Sequence, residues 1–115
     1  MLSMIREHDY VHYIKTVEKL RELVRGKESD EVKAILDFFD SAKETVDQKL
    51  RDFTNSNQYV LWCLSDDAQE IILFAKSLVD NRCSKADAVN ELICTCAQEL
   101  MYLISIKCAQ FYTED

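Results

Sequence analysis

Apolar residues recur at three- and four-residue steps through nearly the whole chain, the spacing that lines one face of an α-helix. In the first stretch Tyr10, Tyr13, Val17, Leu20 and Val24 keep this spacing, with Ile14 beside them. A second stretch carries Val32, Ile35, Phe39, Ala42, Val46, Leu50 and Phe53 on one face. The third runs Leu61, Leu64, Ala68, Ile71, Ala75 and Leu78. Its phase continues across Ser65-Asp66-Asp67, so one unbroken helix is expected there, although Ser65 could cap a second. The fourth runs Val89, Ile93, Cys96, Leu100 and Leu103, then drifts to Ile104, Cys108 and Phe111.

Polar turn formers gather between these stretches, at Gly26-Lys27-Glu28-Ser29, Asn55-Ser56-Asn57 and Asp80-Asn81-Arg82-Cys83-Ser84. Gly26 can take the left-handed conformation that ends a helix. Ser29, Asn57 and Ser84 can accept hydrogen bonds from the free amides of a following first turn, and Asp87 stands three residues after Ser84 as a weak capping-box partner. The helices predicted are 4–25, 30–54, 58–80 and 85–112. Similar lengths and short connections favour antiparallel neighbours, so the expected fold is all-α: one domain over 1–115, an up-down four-helix bundle about 35–40 Å long. The absence of proline and the single glycine agree with long helices and few loops. They also remove most of the loop chemistry on which active sites tend to sit.

Composition narrows the function classes. Of 115 residues, 48% are hydrophobic and 30% charged, as in a folded soluble domain and not a disordered one. The net charge of −7 lacks the basic footprint that nucleic-acid backbones require. The acidity is uneven: residues 1–57 hold ten Lys/Arg against twelve Asp/Glu, and residues 58–115 hold four against nine. That back half would repel anionic membrane surfaces. No stretch has the roughly 18 apolar residues of a membrane span. The five cysteines (Cys63, Cys83, Cys94, Cys96, Cys108) are odd in number, follow no signal-peptide pattern, and mostly fall in apolar helical positions. Reduced thiols in the cytoplasm are therefore expected, the nucleus being the alternative.

Candidate chemistry is thin. His8 and His12 share a helix face beside Glu7 and Asp9, as metal ligands would, but no third histidine exists. Asp9-x-x-His12 echoes half of a di-iron carboxylate site without its second copy. Cys94 and Cys96 point to different sides of a helix, and Cys83, in a predicted loop beside Arg82, is the thiol expected to be accessible. Glu28-x-x-Glu31 followed by Glu44-x-x-Asp47 resembles the magnesium-binding pattern of all-α nucleoside triphosphate pyrophosphatases. In that family the two pairs face each other from different helices. Here 32–43 reads as uninterrupted helix, which places Glu31 and Glu44 about 20 Å apart on one axis. No cofactor, metal site or catalytic residue is expected.

Interaction surface is the stronger lead. Trp62 lines up with Gln58, Asp66 and Gln69 on the polar side of the third helix, and Tyr102 with Gln98 and Ser105 on the fourth. Tyr112 extends that row, and Phe38 flanks the buried stripe of the second helix. Trp62, Tyr102, Phe38 and Tyr112 are thus candidate partner-binding residues, since large aromatics on a wet face make binding hot spots. Leu100 to Ile106 is apolar nearly all round, so that helix is either wrapped by the other three or covered by another chain. Met101, Tyr102 and Ile106 lack an evident internal partner and mark an expected homodimer interface.

The function expected is non-enzymatic protein binding with no direct nucleic-acid or membrane partner. Inhibitors, immunity or antitoxin partners, secretion chaperones and virus-encoded modulators are the classes with this character. The alternatives are an acidic nucleic-acid mimic and the magnesium-dependent nucleotide hydrolase.

Overall fold

The computed structural model of the chain describes residues 7–52 and 56–106. Five α-helices run in order: α1 (Glu7–Val24), α2 (Asp30–Asp52), α3 (Ser56–Cys63), α4 (Asp66–Arg82) and α5 (Ala88–Met101), the last continuing into a π-helical turn, Tyr102–Ile106. No strand occurs among the described residues. The fold class is all-α, with five helices where four were expected.

The first connection forms as its residues dictate. Gly26 adopts φ +77°, and the Lys27 amide donates to the Val24 carbonyl at 2.8 Å, closing the end of α1. Ser29 Oγ then accepts from the Val32 amide at 3.2 Å. Asp30 and Glu31 occupy the first turn of α2, and Lys49 and Arg51 the last, which complements the helix dipole at both ends.

The third predicted helix is two helices. Ser65 is extended (φ −72°, ψ 159°) and its hydroxyl accepts from the Ala68 amide, so it caps α4. Gln69 Nε2 donates to the Cys63 carbonyl at 2.8 Å, satisfying an acceptor freed where α3 stops. The apolar phase read through Ser65 therefore fails in α3. Leu61 and Leu64 are 69% and 66% exposed, whereas Tyr59, Val60, Trp62 and Cys63 are buried. Asn57, expected as a cap, lies inside α3. The next boundary also moves: Asp87, not Ser84, caps α5, accepting from the Asn90 amide at 2.8 Å.

Elsewhere the stripes are buried as expected, with Tyr13, Val17, Leu20 and Val24 of α1 meeting Ile35, Phe39, Ala42 and Val46 of α2. Helix α5 touches α1, α2 and α4, and Ile93, Cys96, Ala97 and Leu100 are sealed from solvent on it. Leu103 and Ile104 of the turn that follows are buried as well. Two tyrosines tie helices together through the same core: Tyr13 Oη donates to the Phe39 carbonyl at 2.9 Å, and Tyr59 Oη donates to the Leu103 carbonyl at 3.3 Å. Each fully buried Leu or Ile contributes about 1.5–3 kcal/mol relative to exposure. The molecule measures 45 × 23 × 21 Å. Among the described residues no helix is long and apolar enough to cross a membrane. Leu50, Phe53, Cys108 and Phe111, also expected in the core, lie outside the residues whose side chains are described.

Candidate protein-binding surface

Four consecutive apolar residues, Ile71, Ile72, Leu73 and Phe74, sweep roughly 300° around α4 at about 100° per residue. One core-facing stripe cannot hold them all. Ile71 and Ile72 pack against the core, while Leu73 is 64% and Phe74 44% exposed. Glu70, Lys76 and Ser77, all exposed, border the pair on the same helix.

Phe74 does not stand alone. Its ring lies 4.4 Å from that of Phe38 on α2. Phe38 in turn lies 5.5 Å from Phe39, and Phe39 meets Tyr13 of α1 edge-on at 6.4 Å. A row of four rings thus runs from the surface of α4 through α2 to the buried side of α1. Aromatic pairs at such distances are worth about 0.5–1.5 kcal/mol beyond area burial, so Phe74 is held in place instead of sampling solvent freely. An exposed ring ordered from below loses little entropy when a partner covers it.

The residues singled out from the sequence divide. Phe38 is half-buried and becomes the support of Phe74. Trp62 is corrected: it is buried at 7% exposure, stacked 5.5 Å from Tyr59, because the break at Ser65 turns the other face of α3 outward. Its indole Nε1 has no hydrogen-bond acceptor among the described residues. Met101 packs partly buried against the core, and Tyr102 is half-buried at the start of the π-helical turn. Tyr112 and the side chain of Ile106 lie outside the described residues. Leu73, Phe74, Leu61 and Leu64 were missed as surface positions. The four-residue apolar run signals the first two, and the capping serine signals the others.

Other candidate chemistry resolves into structure. His12 Nδ1 lies 3.0 Å from Glu99 Oε1, and Thr16 Oγ1 lies 3.2 Å from both Glu99 oxygens and 2.9 Å from the His12 carbonyl. One hydroxyl proton cannot serve all these acceptors at once. The Thr16 proton is shared between the His12 carbonyl and the Glu99 carboxylate, which ties α1 to α5 beside the His12–Glu99 contact. Burial pushes the Glu99 carboxyl above its ordinary range, with His12 and Thr16 pulling part of that back. The acidic pairs stay apart, since α2 is continuous from Asp30 to Asp52 and Glu31 is bound by Arg82. No group of three or more His, Cys, Asp or Glu among the described residues could hold a metal ion. Cys83 is corrected as well: it is exposed but joined to Cys94 in a disulfide, with Cα atoms 5.6 Å apart.

Charge is distributed so as to leave one bare segment. Residues 53–65 contain no Asp, Glu, Lys, Arg or His, and Leu61 and Leu64 project from that segment. Comparison with protein-family models, curated proteins and solved structures finds no match.

Proposed function

We propose that the chain is a non-enzymatic helical domain that binds another protein, and that Phe74 and Leu73 form the centre of the contact with Phe38 beneath. The observation that carries this reading is the ordered, outward-facing ring of Phe74 at the end of a row anchored in the core. Exposed apolar clusters with polar rims are where protein partners dock, and aromatic anchors dominate such contacts. The inhibitor, chaperone and modulator roles all draw on this kind of surface.

The test compares the wild type with Phe74→Glu and Leu73→Glu in affinity purification from the native source. Both variants should keep the wild-type helix content by circular dichroism and lose the partner that the wild type retains. A partner bound equally by all three overturns the reading. Recovered binding should weaken only mildly with salt. A steep fall between low and moderate salt would favour the nucleic-acid mimic, whose carboxylates would engage a basic groove.

Self-association is a second reading, favoured by the uncharged segment 53–65. Two copies of a chain with net charge −7 repel least where neither carries a charge, and α3 with the turn after it offers Leu61 and Leu64 there. The homodimer contact first expected at Met101, Tyr102 and Ile106 is thereby relocated to α3. Light scattering at tens of micromolar should find a dimer that Leu61→Glu converts to monomer. A monomeric wild type overturns this second reading and leaves the first intact.

A further inference from the structure

The turn between α4 and α5 is fastened twice. Arg82 Nη1 donates to Asn90 Oδ1 of α5 at 2.8 Å, and Arg82 Nη2 binds Glu31 of α2, with only 12% of the Arg82 side chain exposed. Asn90 is itself held by both oxygens of Asp87. Across the same turn runs the Cys83–Cys94 disulfide, eleven residues apart in sequence. Its ends differ: Cys83 closes α4 and is exposed, whereas Cys94 sits within α5 at 7% exposure.

We propose that Cys83–Cys94 is a thiol–disulfide exchange site that takes a small thiol of the glutathione class at Cys83, with the α4–α5 turn keeping its geometry in either redox state. The exposure difference selects the sulfur. Cys83 is open to an external thiolate, whereas Cys94 is buried within α5. The new S–S bond forms to Cys83 as the Cys83–Cys94 bond breaks. The electron pair leaves on Cys94 Sγ, which takes up a proton. A second thiolate attacking the mixed disulfide then releases Cys83 as a thiolate and leaves the external pair oxidised. In total two external thiols lose two electrons and two protons to the cysteine pair.

Burial shapes the intermediate. A buried thiol such as Cys94 is a weak nucleophile because burial disfavours its thiolate. Burial thus slows Cys94 both as leaving group and as returning nucleophile, so the mixed disulfide on Cys83 forms slowly and then persists. The polar clamp of Arg82, Glu31, Asn90 and Asp87 requires neither sulfur, so opening the bond leaves the turn in place. The eleven-residue span it closes restrains the unfolded chain, so opening the bond lowers stability without moving the folded turn.

The full-length protein is incubated with a mixture of reduced and oxidised glutathione, quenched with acid, and read by intact mass and peptide mapping. The expected result is three species: the closed disulfide, a single glutathione adduct mapped to Cys83, and the open dithiol. Their circular dichroism spectra at 25 °C should superimpose, and the midpoint of the open form should fall by about 10 °C. Cys94→Ser should fold and carry the adduct on Cys83, and Cys83→Ser should fold and carry none on Cys94. An adduct mapped to Cys94, both cysteines fully alkylated before any reductant is added, or loss of helix on opening would each overturn the proposal.

Discussion

Phe38 and Phe74 face each other between α2 and α4 with ring centroids 4.4 Å apart and planes inclined by 49°. Phe38 is half-buried and backed by Phe39, whereas Phe74 projects towards solvent. One pair therefore joins the interior of the fold to its most distinctive surface feature.

That relationship separates stability from binding. Phe39 is fully buried, and Phe39→Ala should cost about 3–5 kcal/mol by leaving a cavity. Phe74→Ala removes a partly exposed ring and should cost about 1 kcal/mol. Urea unfolding of both variants checks this. A Phe74→Ala cost approaching that of Phe39→Ala would make Phe74 a core residue and remove its surface role.

Trp62 supplies a further contrast. Its buried indole N–H lacks an acceptor among the described residues, and a buried donor left unmet costs about 1–3 kcal/mol. Trp62→Phe sheds that donor together with some volume, and should lie within about 1 kcal/mol of wild type. Trp62→Ala should cost about 3–5 kcal/mol. Neither change should alter partner affinity beyond its effect on folding. A specific loss of affinity with intact stability would return Trp62 to the binding surface.

Much of the fold was legible because most of its helices obey a single period. The stripes from Tyr13 to Val24, from Ile35 to Val46 and from Ile93 to Leu103 were readable, as were the stop at Gly26 and the cap at Ser29. Periodicity misled at Ser65, where it happened to carry across a real break. A local hydrogen bond from the Ala68 amide to Ser65 Oγ outweighed a pattern that favoured one long helix. Everything upstream in α3 then rotated, burying Trp62 and exposing Leu61 and Leu64. The surface pair Leu73 and Phe74 was legible only as an excess of apolar residues for one stripe. The Cys83–Cys94 pairing was not legible, since spacing alone cannot say that a loop residue folds back onto the second turn of the next helix.

Glu99 gives the fold a definite pH signature. Burial raises its carboxyl above the unfolded value, and His12, Thr16 and Lys19 offset part of this. The folded state therefore prefers the protonated form. The stability it contributes is present below the unfolded value of about 4.3 and is lost as pH rises through the higher folded value. Glu99→Gln, which cannot ionise, should gain stability relative to wild type as pH rises from about 4 towards neutral. Thermal unfolding of the two proteins across that range checks it. A difference independent of pH, or one growing towards acid, would contradict a Glu99 carboxyl raised by burial.

The protein-binding surface is tested most directly by replacing Phe74 with a photoreactive phenylalanine analogue in cells of the native source and irradiating them. The same analogue at Glu44, exposed on α2, serves as the control. The expected result is a discrete covalent adduct with a second protein from position 74 and none from position 44. No adduct from position 74, or the same adducts from both positions, would contradict the assignment of this surface to partner binding.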